Sequence, residues 1–417
     1  MTSPERADVV VVGAGIVGLA TARAVQHQRP DLQVVVIDKE ATVGRHQSGH
    51  NSGVIHAGLY YAPGSQKAAL TRAGRAELLD WCERHGVPWA RCGKVVVATT
   101  AHEIERLDAL AERARRSGIE TERLGRAGLA DHEPHAAGVA GLWVPSTAIV
   151  DFGAVCRALA DEIVAAGGTI ALGTRFVGLE RRGAEVIVRT GSGAIRARYL
   201  ANCAGLDSDR VTRAAGDDPG ASILPFRGEY HELTEGSRHL VRALIYPVPD
   251  PRYPFLGVHL SRTIDGHVHA GPNAVLALAR EGYRWRDLDA GDVRAMATDR
   301  AAWRLARRHW RTGATEVARS VSRRRLLRSL QRLVPALEAR DLMAGGSGVR
   351  AQAVRPDGAL LDDFTFAGVA ADDPEGAARI VHVVNAPSPA ATASLAIGRV
   401  VAGRLLGSAP ARPGPLD

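Results

Sequence analysis

Four consecutive valines, Val9-Val10-Val11-Val12, run directly into Gly13-Ala14-Gly15-Ile16-Val17-Gly18. A β-branched run favours a strand, and Ile16, Leu19, Ala20 and Val25 continue at helical spacing. A GxGxxG in this strand–turn–helix setting is the fingerprint of a dinucleotide site. Gly13 permits the tight turn, Gly15 lets the backbone approach a pyrophosphate, and Gly18 lets the helix pack closely on the strand. The helix N-terminus then offers N–H groups and the positive end of its dipole to the phosphates. A second strand over Gln33–Ile37 ends at Asp38, at the ~20-residue spacing where a carboxylate accepts ribose hydroxyls.

The fingerprint alone does not separate FAD from NAD, since both use this fold. Two distant segments bear on the choice. After Asp38-Lys39-Glu40 the chain enters a glycine- and histidine-rich stretch, 44–58, in place of another regular βαβ unit. Near the C-terminus, Asn385-Ala386-Pro387-Ser388-Pro389-Ala390-Ala391-Thr392 reads as a loop breaking into a final helix. The N–H groups of that helix are placed to face a flavin pyrimidine edge. Read on its own, the same loop is equally an ordinary proline-terminated turn capped by Ser388 or Thr392.

The chain has 417 residues, 46% hydrophobic and 24% charged, which suits a globular protein of two or three domains. Its net charge of +8 raises the question of nucleic acid. No nucleic-acid motif accompanies that charge, so nucleic acid is not an expected partner; the surplus instead favours anionic substrates and anionic membrane surfaces. Lys39, Lys67 and Lys94 are the only lysines, and the remaining positive charge is arginine. Cys82, Cys92, Cys156 and Cys203 form no CxxC pair and have no clustered histidine, so neither a metal site nor a disulfide framework is expected. Reduced thiols in a cytoplasmic protein are the simplest reading. The apolar stretch Val9–Ala24 follows acidic residues, is broken by glycines and falls short of the ~20 residues a bilayer requires, so it reads as neither signal nor span.

Longer blocks carry a resemblance. Arg45-His46-Gln47-Ser48-Gly49-His50-Asn51-Ser52-Gly53-Val54-Ile55-His56-Ala57-Gly58-Leu59-Tyr60-Tyr61 resembles the signature of the L-2-hydroxyglutarate dehydrogenase/oxidase family. So do Pro225–Tyr230, Pro254–His259, Gly271–Val275, Gly348–Ala353 and Asn385–Thr392. The blocks are ordered and cover essentially the whole chain, and their wider group is the D-amino-acid-oxidase-like flavoproteins. The resemblance implies an α/β fold: a discontinuous Rossmann-like FAD domain over 1–95, 146–215 and 345–405, an inserted α+β, mixed-sheet substrate domain over 96–145 and 216–344, and a tail over 406–417. FAD contacts are expected at Gly13, Gly15, Ile16, Gly18, Asp38, Lys39, His50, Asn51, Ser52, Gly53, Val177, Ala204, Gly205, Pro387, Ser388, Pro389 and Ala390. Asp38 stands where the family usually has glutamate, which preserves the role.

The implied reaction oxidises L-2-hydroxyglutarate to 2-oxoglutarate, passing hydride to flavin N5 and electrons onward to a quinone or oxygen. Another hydroxy acid or an amino acid is the alternative substrate on this fold. The chemistry needs a base of near-neutral pKa, usually histidine, and a fixed cation for the substrate carboxylate, best an arginine fork. Arg350, in a Gly-x-Arg position that resembles the substrate-carboxylate arginine of the amino-acid oxidases in the wider group, is the first choice for the cation. His259 and His56 compete as base; a buried structural histidine is the plain alternative for either. A diacid has a second carboxylate, for which Arg227, Tyr60, Tyr61 and Asn273 are candidates; Arg227 reads equally well as a brace at a strand start.

Elsewhere, Ala194–Cys203, Thr169–Leu172 and Glu185–Arg189 read as strands, while 102–117 and 294–340 read as amphipathic helices. Pro and Gly clusters at 216–220, 247–254 and 408–415 read as turns or tail. The arginine-rich segment 300–332, interleaved with Trp, Leu and Val, suits either a solvated helix face or peripheral contact with an anionic membrane. The expected location is cytoplasmic, with the inner face of the membrane as the surface such a contact would use.

Overall fold

A computed structural model describes residues 4–250, 257–368 and 379–407 of the chain. Pro254-Phe255-Leu256, the 251–254 part of the proline-rich turn and the 408–415 tail lie outside those residues. The fold is mixed α/β.

Val9–Val12 is fully buried on both faces, as a central parallel strand must be. It pairs in parallel with Val34–Ile37 on one side and Tyr199–Asn202 on the other. The full sheet runs Thr365–Ala367, Arg379–Asn385, Tyr199–Asn202, Val9–Val12, Val34–Ile37, Thr169–Ala171, with only the edge strand Thr365–Ala367 antiparallel. Helices Ile16–Gln28, Gln66–Arg84, Phe152–Ala165 and Ser394–Leu406 pack one face of it around Leu19, Leu78, Trp81, Leu159 and Val401. The opposite face carries a three-stranded antiparallel sheet of Phe176–Arg182, Glu185–Thr190 and Gly193–Ala197.

The single strand expected over Ala194–Cys203 is therefore two strands in two sheets. Residues 193–197 alternate exposed and buried as half-solvated strands do, whereas Leu200, Ala201 and Asn202 are buried without a break. The chain changes sheet at Arg198, where the N–H groups of Arg198 and Tyr199 both donate to Asp8 O at 3.1 and 3.0 Å.

A second, larger mixed sheet orders Val275–Leu276, Ser222–Leu233, Val268–Gly271, His259–Arg262, Leu244–Pro247, Lys94–Ala98, Ala140–Val144 and Glu122–Leu124. Leu342–Val354 pairs with Ser222–Leu233 along eleven residue partners, which joins the chain's later segment to this sheet. Helices over 102–117 and 294–340 are present as Ile104–Arg116 and, in the second stretch, Arg300–Ser320 and Arg323–Gln331 after Ala290–Thr298. No helix among the described residues is long and apolar enough to cross a membrane.

Candidate active site

A cavity of about 1190 Å³ runs between the two large sheets, above the ~300–1,000 Å³ of an ordinary ligand cleft. Its lining joins the fingerprint turn, the 45–56 segment, Ala204–Ser208, strand residues 348–352 and the loop 383–392. Segments from both ends of the chain thus meet around one elongated volume.

The phosphate end follows from backbone geometry. Gly13 has φ +108°, and a Cβ there would lie 2.5 Å from Cys203 O. A Cβ on Gly18 would lie 1.9 Å from Gly13 O, so the helix touches the turn with no room for a side chain. The helix Ile16–Gln28 begins at Gly15 without a side-chain cap from that residue, leaving N–H groups that a phosphate can meet. Ile16 N–H donates to Ser48 Oγ at 2.9 Å, which draws the 45–52 segment over this terminus. Asp38, ending the second strand, accepts from Ala14 N at 2.6 Å and Glu40 N at 2.9 Å. Both oxygens are thereby fixed, with lone pairs remaining for ribose hydroxyls. Glycines with no space for a Cβ, a helix N-terminus whose N-cap residue is a glycine and a carboxylate at the next strand end together fit the pyrophosphate and ribose of FAD.

The segment 45–53 is braced on every side. Asn51 folds it back on itself, its amide donating to Gln47 O and Ser48 O and accepting from Gly53 N. His50 Nδ1 donates to Ser347 O at 3.0 Å, and its ring lies 4.5 Å from that of Tyr283. Gln47 Oε1 accepts from Ala351 N at 2.9 Å. Lys39 is held among Glu40, Glu281 and His46, and Tyr283 Oη reaches His46 Nδ1 at 2.8 Å. Glu40, His46 and Glu281 could group around a cation, but the Lys39 ammonium already stands there. At the other end Thr392 Oγ1 accepts from His56 N at 3.1 Å, tying the 385–392 loop to the first segment.

At the end of the cleft away from the fingerprint stand His56, Tyr60, Tyr61, Tyr230, Tyr246, His259 and Arg350. Strand pairing sets several of them, since Arg350 sits opposite Phe226. Phe226, Gly228 and Tyr230 line the cavity as alternate residues of one strand. Arg227, between them, faces away. It does not line the cleft, and the expectation that it meets a substrate carboxylate is corrected by this alternation. Its guanidinium is 2% exposed, contacts Glu229 at 3.3 Å, donates to Arg284 O at 3.0 Å and lies 4.5 Å from the Trp285 ring. It braces the inserted sheet against 280–285. Asn273 lines the cavity, but its amide is engaged with Glu229, accepting from its N–H at 2.7 Å and donating to its carboxylate at 3.2 Å. Val177 is a second correction: its side chain is 60% exposed on an outer hairpin, away from the cavity lining. Gly18 and Gly53 shape the walls from behind; Gly13, Gly15, Ile16, Asp38, Lys39, His50, Asn51, Ser52, Ala204, Gly205, Pro387, Ser388, Pro389 and Ala390 all line the cleft.

Electrostatics at this end follow from burial. Burial, then the positive field of Lys94 and Arg350 among others, holds His56 down at about 3. Burial holds His259 at about 4, reinforced by Lys94 and Arg350 and partly opposed by its hydrogen bond to Gly257 O. That bond, at 2.9 Å, requires the proton on Nδ1 and leaves Nε2 as the acceptor. Both imidazoles are neutral in the physiological range. Burial also lowers Arg350 and raises Tyr60, Tyr61 and Tyr246, so the tyrosines stay protonated. The Tyr60 hydroxyl is buried without a hydrogen-bond partner among the described residues. Lys94, 1% exposed, lies 4.4 Å from the Tyr60 ring centroid and 5.2 Å from that of Tyr246. Sequence reasoning gave no role to Ser48, Tyr230, Tyr246 or Lys94. Ser48 and Tyr230 did lie in blocks that carry the resemblance.

A neutral base beside a fixed cation, at one end of a dinucleotide-shaped cleft, can remove a proton from a bound anion while the dinucleotide takes electrons. The family model for FAD dependent oxidoreductases (DAO) matches residues 8–404. The chain is 43% identical over 392 residues to the L-2-hydroxyglutarate dehydrogenase of Escherichia coli K12, covering 94% of this chain and 91% of that one. It is 41% identical over 409 residues to the mitochondrial L-2-hydroxyglutarate dehydrogenase of Homo sapiens, covering 95% and 88%. Among solved structures, FAD-bound L-α-glycerophosphate oxidase from Mycoplasma pneumoniae superposes with TM-score 0.78 at 22% identity, over 97% of this chain and 95% of that one. Glycine oxidase from Geobacillus kaustophilus does so with TM-score 0.72 at 18% identity, over 98% and 96%. With its cleft shaped for FAD and its relatives spanning nearly its whole length, the chain belongs to the DAO family of FAD-dependent oxidoreductases.

Proposed function

We propose that this enzyme oxidises L-2-hydroxyglutarate to 2-oxoglutarate. The observation that carries the substrate is the 43% identity over 94% of the chain to an enzyme of that name. Bound FAD supplies the two-electron acceptor. Arg350 holds the carboxylate next to the reacting carbon, and His259 Nε2 takes the hydroxyl proton, with His56 the competing base. A base near 4 is weak on its own; a dianionic substrate offsets the field of Arg350 and Lys94 and lifts it toward the working range. Tyr60 and Tyr61 supply hydroxyls for the distal carboxylate. In this reading residues 1–95, 146–215 and 345–405 carry the cofactor and 96–145 with 216–344 the substrate, the strand Leu342–Val354 bridging the two.

Electrons pass onward to a quinone or to oxygen. Favouring a quinone at a cytoplasmic membrane face is one stripe on the helix Arg300–Ser320. Trp303, Trp310 and Val317 recur at heptad spacing, 64%, 62% and 42% exposed, among six arginines of the same helix. An apolar stripe flanked by cations suits an anionic bilayer surface.

The deciding experiment mixes the holoenzyme anaerobically with L-2-hydroxyglutarate while flavin absorbance is followed. Bleaching within the turnover time is expected. An enzyme that stays yellow with the diacid but bleaches with a monocarboxylic hydroxy acid or an amino acid has another substrate.

A further inference from the structure

Lys94 touches no reacting group in the scheme above, entering it only through its field, yet its surroundings are unusual for a lysine. It begins the strand Lys94–Ala98, and at 1% exposure it is among the largest fully buried side chains. Among the described residues its ammonium has neither a carboxylate partner nor a hydrogen bond, and it stands against the faces of Tyr60 and Tyr246. A buried ammonium without an anion is costly, and cation–π contact offsets that by only a few kcal/mol at most. Both rings line the cleft, so the ammonium stands immediately behind the wall that a substrate meets. Besides Tyr60 and Tyr246, the groups whose fields meet here come from several elements. His56 comes from the 56–61 segment, His259 from the strand His259–Arg262, Arg350 from Leu342–Val354 and Lys67 from Gln66–Arg84. All of the charges acting on His56 and His259 are positive.

We propose that Lys94 is a positioning residue, a buried cation behind the Tyr60–Tyr246 wall, with the Tyr246 ring 4.1 Å from that of His259, whose field adds to burial in keeping His56 and His259 as neutral imidazoles facing the substrate. The proposal rests on the reading of those histidines as bases, but its field acts whatever the substrate is. Burial lowers Lys94 itself to about 7, so the field weakens as pH rises through neutrality. A bound dianion, by the same Coulombic logic, strengthens the protonated lysine. The lysine thus makes the site's positive potential responsive to occupancy, which an arginine at that position would not do.

The test uses holoenzyme with FAD bound and histidines carrying ¹³C at Cε1, without substrate, so that failure of the substrate assignment leaves it intact. Resonances are assigned with His56→Gln and His259→Gln. In the wild type both stay at their neutral positions down to pH 5. In Lys94→Met both midpoints rise by about 0.5–1 unit, and the acid limb of kcat/KM moves with them. Lys94→Arg keeps the wild-type midpoints. Unmoved midpoints in Lys94→Met, or an equal rise in Lys94→Arg, overturn the proposal. If Lys94→Met does not retain FAD, Lys94→Gln is read by the same criterion. If that variant also fails, a midpoint rise in Lys94→Arg alone is sufficient to overturn it.

Discussion

Replacing Gly18 with alanine tests the phosphate end of the cleft by a single methyl group. The added Cβ would stand 1.9 Å from Gly13 O, where 3.0 Å is the closest approach real Cβ atoms make. The helix Ile16–Gln28 and the turn must therefore part by at least 1.1 Å. That displacement carries Ile16 N away from Ser48 Oγ, now 2.9 Å distant, and so beyond hydrogen-bond range. It also moves the helix terminus off the position that a pyrophosphate occupies. Overpacking of this kind costs ~1–3 kcal/mol in a close-packed interior, and 1.4 kcal/mol is tenfold in affinity. If half to all of it falls on the bound state, FAD affinity drops by about 2- to 140-fold. Titrating apoprotein with FAD by fluorescence quenching measures the change, and melting temperatures with and without FAD show how much of it is general destabilisation. Gly313→Ala is the control: it lies in a helix with nothing within 4 Å of the new methyl, so alanine should leave FAD binding unchanged. A Gly18→Ala protein that binds FAD as the wild type does would refute the packing argument.

Arg350→Lys keeps the charge but loses the planar fork, so KM for L-2-hydroxyglutarate should rise at least tenfold with FAD retained, on the scale of ~1.5–3 kcal/mol for a charged hydrogen bond; unchanged steady-state kinetics would remove its carboxylate role. Trp303→Ser with Trp310→Ser should lower co-sedimentation with anionic vesicles by about an order of magnitude while leaving anaerobic flavin reduction intact. Equal sedimentation of the double variant and the wild type would place the stripe outside any membrane contact.

Features that depend on neighbours in sequence were legible. The Val9–Gly18 turn, Asp38 at the end of the next strand and the helix beginning after Thr392 each follow from local periodicity and glycine placement. What depended on strand register was not. One residue of offset separates Phe226, inside the cleft, from Arg227, which faces away, and composition does not say which face of Ser222–Leu233 turns inward. Lys94 was invisible for a related reason. It opens an otherwise apolar strand, where a lysine ordinarily marks a solvent-facing end, and Tyr60 and Tyr246, brought alongside from distant segments, stand against its ammonium. The break at Arg198 was missed because Ala194–Cys203 contains no glycine or proline at the point where the chain changes sheet.

The three lysines have one more consequence. Lys39 and Lys67 line the cleft, with side chains 15% and 9% exposed, and Lys94 stands behind it. The other 50 of the 53 basic residues are arginines. The folded protein therefore presents almost no ε-amine to its surroundings despite a charge of +8. Acylating reagents that coat an ordinary basic protein have, apart from the chain's own amino terminus, nowhere to react except in the cleft. Lysine acylation becomes a reporter of cleft opening, slowed by whatever fills the site, and coupling to a support through lysine would select molecules whose site is open.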